Sequence, residues 1–347
     1  MIKIGSKTIS NDSPVYIIAE VSANHNQDFE IAKEMIKAAK EAGADAVKLQ
    51  TYTPDTITLK CDNEYFQIKQ GTIWDGKTLY ELYEEAYTPW EWQPKLKSYA
   101  DYIGIDLFSS PFDKSAVDFL EKMDVSAYKI ASFEITDIPL IEYAASKGKP
   151  MIISTGIATL CDIEEAVNAC RRVGNEQIVL LKCTSAYPAP LEDANLRTIP
   201  NLSETFGVIA GFSDHTLGIT APVAAVTLGA KVIEKHFILD KSLGGPDAAF
   251  SLDINEFKEM VKAVRDTEKL LGRVDYTMDE KKRKNREFSR SLFIAKDIKK
   301  GEILTEKNIR SVRPGFGLHP KYLKDILGKK AAVDLKQGTP LKWEHIS

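Results

Sequence analysis

Eight short apolar runs recur between residues 15 and 237: VYIIAEV, DAVKLQT, GIDLFSS, SAYKIAS, PMIISTG, QIVLLKCT, GVIAGFSD and KVIEKHF. Their β-branched content and length suit buried strands. The segments that follow them, such as FEIAKEMIKAAKEAGA, SAVDFLEKM, DIEEAVNACRRVG, ITAPVAAVTLGA and INEFKEMVKAVRDTEKLLG, place apolar residues three and four apart, which is the helical period. Several of these segments end in Gly, a common residue just past a helix. Eight strand–helix units in sequence predict an α/β fold, the parallel (β/α)₈ TIM barrel.

The barrel leaves part of the chain over. At 347 residues the chain exceeds the commonest single domain, so a large domain plus a small one is expected. The barrel is assigned to residues 1–278. The charge run DEKKRKNREFSR, residues 279–290, reads as a solvated connection. Residues 291–347 have short strand-like runs, KKGE and KQGT turns and almost no helical period, so they form a small domain, marginal alone and leaning on the barrel or on a partner chain. Residues 54–89 interrupt the barrel after its second strand. That insertion, with QGTIWDGKTLYELYEEAYTPWEW, is too aromatic for a disordered linker and is expected to form a lid or an extra helix.

Composition excludes several classes of function. A net charge of −4, with 28% charged residues of mixed sign, gives no electrostatic footprint for nucleic acid or an anionic membrane. No apolar run is long enough to span a bilayer, and MIKIGSKTIS is no signal peptide, so a cytoplasmic location is expected. Cys61, Cys161, Cys170 and Cys183 form no CxxC pair and read as reduced, mostly packed thiols.

In a barrel of this kind chemistry belongs where strands end and βα loops begin. Polar residues gather there: Glu20, Lys48 and Gln50, Ser109 and Ser110, Lys129 and Ser132, Ser154 and Thr155, Thr184 and Ser185, Ser213 to His215, and Glu234 with His236. The stretch GFSDHTLGITAPVAAVTLGAKVIEKHF, residues 211–237, carries two of the five histidines. Period two puts Glu234 and His236 on one face of the eighth strand, and His215 lies just beyond the seventh. Neighbouring strands bring the two imidazoles together at the barrel mouth. There they suit a divalent cation at an open site, with water or substrate completing the shell, or else serve as hydrogen-bonded packing residues. Lys48, Lys129, Ser110, Ser132, Ser154 and Ser213 supply ammonium and hydroxyl donors for a phosphate or carboxylate. Glu20 is a candidate proton acceptor or water activator on the cavity wall, or a salt-bridge partner of a nearby lysine. His25 reads as a packing or loop residue.

The ordered set IIAEVSANHNQ, GADAVKLQT, SSPF, YKIASFE, ISTG, CTSAYP, GFSDHTLG, EKHF and GPDAAFSL, followed by KDIKKGEILTEKNIRSVRPGFG, resembles the sialic acid synthase family over nearly the whole chain. Members condense phosphoenolpyruvate with a sugar aldehyde to nine-carbon 2-keto acids. The resemblance implies a C-terminal antifreeze-like (SAF) domain and a domain-swapped homodimer in which each tail closes the partner's barrel. Within the family, WDGKTLYELYEEA, CTSAYPAP, GPDAAFSLD and RPGFGLHPKYL look like the pseudaminic acid synthase branch. That branch implies a diacetamido sugar aldehyde, 2,4-diacetamido-2,4,6-trideoxy-altrose, as acceptor. Ser185, where N-acetylneuraminate synthases typically carry Asn, points the same way, with legionaminic acid synthase a competing branch.

By the same resemblance His215 and His236 hold a divalent metal, Mn²⁺ before Mg²⁺ or Co²⁺. Lys48 and Gln50 hold the carboxylate of phosphoenolpyruvate, and Lys129, Ser110, Ser132, Ser154 and Ser213 its phosphate. Asp247 orients a water or the sugar, Glu134 and Tyr187 contact sugar hydroxyls or amides, and Arg313 reaches the partner's site. Two rival readings are a metal-dependent aldolase, which would use pyruvate and release no phosphate, and a non-enzymatic carbohydrate- or ice-binding tail on an inert barrel. The charged KDIKKGE and TEKNIR stretches argue against an ice-binding face.

Overall fold

The computed structural model describes residues 1–69, 71 and 73–347. All eight apolar runs form strands: Tyr16–Glu20, Ala46–Thr51, Asp106–Pro111, Tyr128–Ile130, Met151–Ser154, Ile178–Cys183, Ile209–Asp214 and Val232–His236. They pair in chain order, and the eighth closes on the first in parallel, completing the barrel. The pleat sorts their side chains. On the second strand Val47 and Leu49 are fully buried in the apolar core, while the alternate residues Lys48 and Gln50 line a cavity. Each Ile, Val or Leu so buried contributes about 2 kcal/mol.

Helices cover the barrel, and local chemistry sets their ends. Asp28 accepts hydrogen bonds from the backbone N–H groups of Glu30 and Ile31 and so starts the helix Phe29–Glu41. Asp253 and Glu256 form a capping box at the head of Ile254–Leu271. Beyond the segments named from the sequence, Gln93–Ile103, Ile138–Ala145 and Thr198–Phe206 are also helical. An N-terminal hairpin, Ile2–Ile4 with Lys7–Ile9, adds Ile2, Ile4 and Ile9 to the barrel's core.

The insertion over residues 54–89 contains helices at Pro54–Ile57 and Leu79–Ala86, the latter started by a Thr78–Glu81 capping box. Gln70 and Thr72, within the aromatic stretch noted above, lie outside the described residues.

The chain divides into two compact units, Met1–Gly272 and Arg273–Ser347. The segment read as a connection holds a seven-residue exposed helix, Glu280–Arg286, and belongs to the second unit. That unit pairs Ser291–Ile294 antiparallel with Ile309–Val312 over a small core that includes Leu292, Ile298, Leu304, Ile326, Leu335 and Leu341. Its KKGE and KQGT turns each place a glycine, Gly301 or Gly338, at φ 85°, a backbone state other residues enter only with strain. Among the described residues no helix is long and apolar enough to cross a membrane.

Candidate active site

A cavity of about 240 Å³ sits at the C-terminal ends of the barrel strands. Lys48, Gln50, Lys129, Ser132, Ser154, Ser213, His215, Glu234, His236 and Asp247 line it together. These residues come from the second, fourth, fifth, seventh and eighth strands and the loops that follow, so the closed barrel is what makes them neighbours.

The floor is a buried network of charge. Lys48 Nζ lies 2.7 Å from Glu20 Oε2 and 3.2 Å from Glu234 Oε1. Lys129 Nζ is 3.7 Å from the same Glu234 oxygen, to which Ser213 Oγ also donates at 3.0 Å. Lys129 further donates to Ser154 Oγ at 2.7 Å. Water is largely excluded, so these contacts decide the protonation states. Burial alone would raise Glu234, but Lys129, Lys48 and the Ser213 hydroxyl outweigh it and hold the carboxyl at about 2. Burial lowers Lys129 to about 8, with Glu234 opposing the fall. Lys48 is likewise penalised by burial, yet Glu20 and Glu234 carry it above its ordinary value. Burial raises Glu20, against the pull of Lys48 and His236.

This arrangement corrects one expectation. Glu20 is fully buried and does not line the cavity; it accepts the backbone N–H of Ser22 and reaches the cavity through Lys48. The strand-end acid that does line it is Glu234, one strand over, paired in register at Ser213. Strand parity places Glu234 inside the barrel, but the sequence does not say which of the two acids stands in front.

The imidazoles of His215 and His236 lie with ring centroids 5.3 Å apart. His215 Nδ1 is 3.0 Å from the carbonyl of Thr184, so it carries the proton and donates, which leaves Nε2 with a free lone pair. His236 Nδ1 is buried with no hydrogen-bond partner, although Asp247 Oδ2 stands 3.4 Å away. A buried ring nitrogen without a partner and a neighbour with a fixed tautomer form a donor set that fits a divalent cation. Among the described residues no three His, Cys, Asp or Glu side chains gather into a ligand cluster. Two imidazoles would therefore be the protein's share at an open site.

Sequence reasoning passed over Cys183. Its thiol lines the cavity 3.8 Å from His215 Nδ1; burial raises it, but His215, Ser132 and Lys129 outweigh burial and hold it at about 7. Ser185 and Ser132 meet around Gly156, where a side chain would place its Cβ 2.2 Å from Ser185 Oγ and 2.7 Å from Ser132 Oγ. A larger residue would have to displace both hydroxyls, and the Gly156 N–H donates to Ser132 Oγ at 3.1 Å. Tyr187 packs against His215 with centroids 4.4 Å apart and the rings tilted by 47°. Burial lifts the Glu134 carboxyl, which also lines the cavity, to about 7. Ser110, the register neighbour of Gln50, is buried with an unpartnered hydroxyl but is not in the cavity lining. Arg313 belongs to the second unit. His25 is held within loops, with Nε2 2.9 Å from Thr88 Oγ1 and Nδ1 accepting from the Gln27 N–H.

Much of the remaining lining is apolar. Ile57, Trp74, Leu82, Tyr83 and Ala86 of the insertion, with Tyr52 and Phe112, form that part. Trp74 also donates to the carbonyl of Pro246, fastening the insertion to the loop that carries Asp247.

Residues 35–276 match the NeuB family and residues 289–347 match the SAF domain. The chain belongs to the NeuB family. The family is that of the sialic acid synthases, and the barrel with its C-terminal SAF domain is the expected fold. The pseudaminic acid synthase of Helicobacter pylori is 53% identical over 334 residues, covering 96% of this chain and 98% of its own. A pseudaminic acid synthase of Campylobacter jejuni is 54% identical, covering 96% and 97%. The N,N'-diacetyllegionaminic acid synthase of Legionella pneumophila is 39% identical, covering 99% and 97%. Among solved structures, the sialic acid synthetase of Leptospira borgpetersenii superposes with a TM-score of 0.73 at 32% identity, covering 82% of this chain and 94% of its own. For this NeuB-family chain the relatives support the activity of a pseudaminic acid synthase, a transferase.

Proposed function

We propose that the chain joins carbon 3 of phosphoenolpyruvate to the aldehyde carbon of 2,4-diacetamido-2,4,6-trideoxy-altrose in this cavity, in the cytoplasm, as a domain-swapped homodimer. One observation carries the reading: two lysines, three serines and two imidazoles from five strands and their loops converge on one enclosed space. Lys129, Ser132, Ser154 and Ser213 bind the phosphate, with Ser110 behind them, while Lys48 and Gln50 take the carboxylate. Charge-assisted donors in a water-poor cavity hold both anionic ends, and fixing two reactants together removes much of the barrier.

His215 and His236 hold a divalent cation, Mn²⁺ before Mg²⁺ or Co²⁺. Such an ion, when bound, polarises the acceptor aldehyde and stabilises the negative charge that grows on its oxygen. Carbon 3 bonds to the aldehyde carbon, water adds to carbon 2, and the bond from carbon 2 to the phosphate oxygen breaks, releasing inorganic phosphate. The proton given up by the entering water is taken up by the alkoxide formed on the acceptor; Glu20 keeps Lys48 charged behind this exchange, and Asp247 orients the water or the sugar. Glu134, Ser185 and Tyr187 meet sugar hydroxyls and amides, and the partner's tail brings Arg313 to a sugar substituent. The apolar wall supports a 6-deoxy acceptor bearing two acetamido groups, whose methyls it covers.

Phosphoenolpyruvate carrying ¹⁸O in the bridge between carbon 2 and phosphorus tests the proposal. The label is expected in the released phosphate, alongside a nine-carbon acid seen by mass spectrometry. Label kept in the organic product, or turnover of pyruvate with no phosphate, would refute it.

A further inference from the structure

Asp214 and Lys235 are both fully buried, yet they lie on the outer face of the barrel. Parity sets this: Ser213, Glu234 and His236 line the cavity, so the residues between them point toward the helices. The two are direct register partners, and Lys235 Nζ donates to Asp214 Oδ2 at 2.6 Å. An apolar pair would stabilise this layer at least as well, since taking both charges out of water offsets most of their attraction. Stability therefore does not account for the pair.

What the pair does is grip the chain beyond the strand. Asp214 Oδ1 accepts the N–H of Thr216 at 2.8 Å, and Lys235 Nζ donates to the carbonyl of Thr216. His215 sits between Asp214 and the gripped Thr216. Its ring is fixed by the hydrogen bond to the Thr184 carbonyl, and the residue that follows it, Thr216, is tied to Lys235, the residue immediately before His236. The separation of the two imidazoles is thus set from behind.

We propose that Asp214 and Lys235 are positioning residues which hold His215 and His236 at the spacing a divalent cation requires; this rests on the metal-binding role proposed for that pair. The double variant Asp214→Val with Lys235→Met removes both grips and leaves no buried charge, so it retains the fold. Mn²⁺ binding to chelator-treated protein, followed by calorimetry and by the electron paramagnetic resonance of free Mn²⁺, reads the effect without turnover. An affinity loss of about 10–100-fold is expected, as for other groups that orient ligands, with the KM for phosphoenolpyruvate moved less than about threefold. Affinity equal to wild type, or a KM that rises in step with the loss, overturns the inference. Should the double variant fail to fold, Asp214→Asn with Lys235→Met keeps the acceptor for the Thr216 N–H and removes only the tie to the Thr216 carbonyl, again without a buried charge; unchanged Mn²⁺ affinity there overturns the inference equally. Mn²⁺ binding that survives His236→Ala in an otherwise unaltered chain overturns the metal site itself, and the inference falls with it.

Discussion

Replacing Glu234 by Gln changes one atom of the cavity wall and removes the main counter-charge of Lys129. The two charged atoms stand 3.7 Å apart in a region without exposure. With an effective dielectric of about 20, the attraction is about 4 kcal/mol, roughly a thousandfold in the protonation equilibrium of the ammonium group. Lys129 is already down at about 8 with that support in place. Without it the ammonium form is scarce at pH 8, and the phosphate of phosphoenolpyruvate must bring a proton with it. Allowing for relaxation and for Glu20, we expect the KM for phosphoenolpyruvate to rise about 100-fold at pH 8. Binding that requires one proton weakens tenfold per pH unit, so at pH 6 the defect should shrink toward the wild-type value. Initial rates of phosphate release at pH 6, 7 and 8 give both numbers. A KM in the variant that runs parallel to wild type across this range would show that Glu234 does not set the charge of Lys129, and the account of the floor would be wrong.

Three further outcomes are expected. Glu134 is lifted from 4.5 to about 7 by burial, so its neutral form is favoured in the folded state; that stability is fully present below pH 4.5 and is lost as pH rises through 7. Thermal melts should therefore show Glu134→Gln more stable than wild type at pH 8 and no different at pH 4.5, and a constant offset would contradict the burial argument. Dimers that mix Arg313→Ala chains with Glu20→Ala chains should recover one working site of two, whereas inactive mixtures would argue against tail exchange. In competition assays the 6-deoxy diacetamido altrose should exceed N-acetylmannosamine in kcat/KM by about 10–200-fold, the range that methyl-sized differences give in an apolar pocket; the reverse order would assign the chain to another branch.

The barrel was legible because its signal is repeated: eight runs with strand length and parity, separated by helical periods, admit few other closures. Parity also placed Lys48, Gln50, Glu234 and His236 inside, since each face alternates along a strand. What the sequence did not disclose depends on distance across the barrel. Glu20 and Glu234 are equivalent as strand-end acids, and only packing puts Glu234 in front and Glu20 behind Lys48. Cys183 read as a packed thiol because nothing near it in the chain announces His215, 32 positions away. Lys235 stands between Glu234 and His236 in the chain, and its full burial against Asp214 depends on the neighbouring strand. The insertion's aromatic content suggested a lid or a helix, but not that Trp74 would reach Pro246 across 172 positions.

The cavity's two halves come from different kinds of chain. Barrel strands, whose geometry tolerates little change, supply the charged floor, while a single contiguous excursion after the second strand supplies Ile57, Trp74, Leu82, Tyr83 and Ala86. Exchanging residues 54–89 between relatives is therefore a one-segment graft that replaces these five side chains and leaves the lysines, serines and imidazoles of the barrel in the chain.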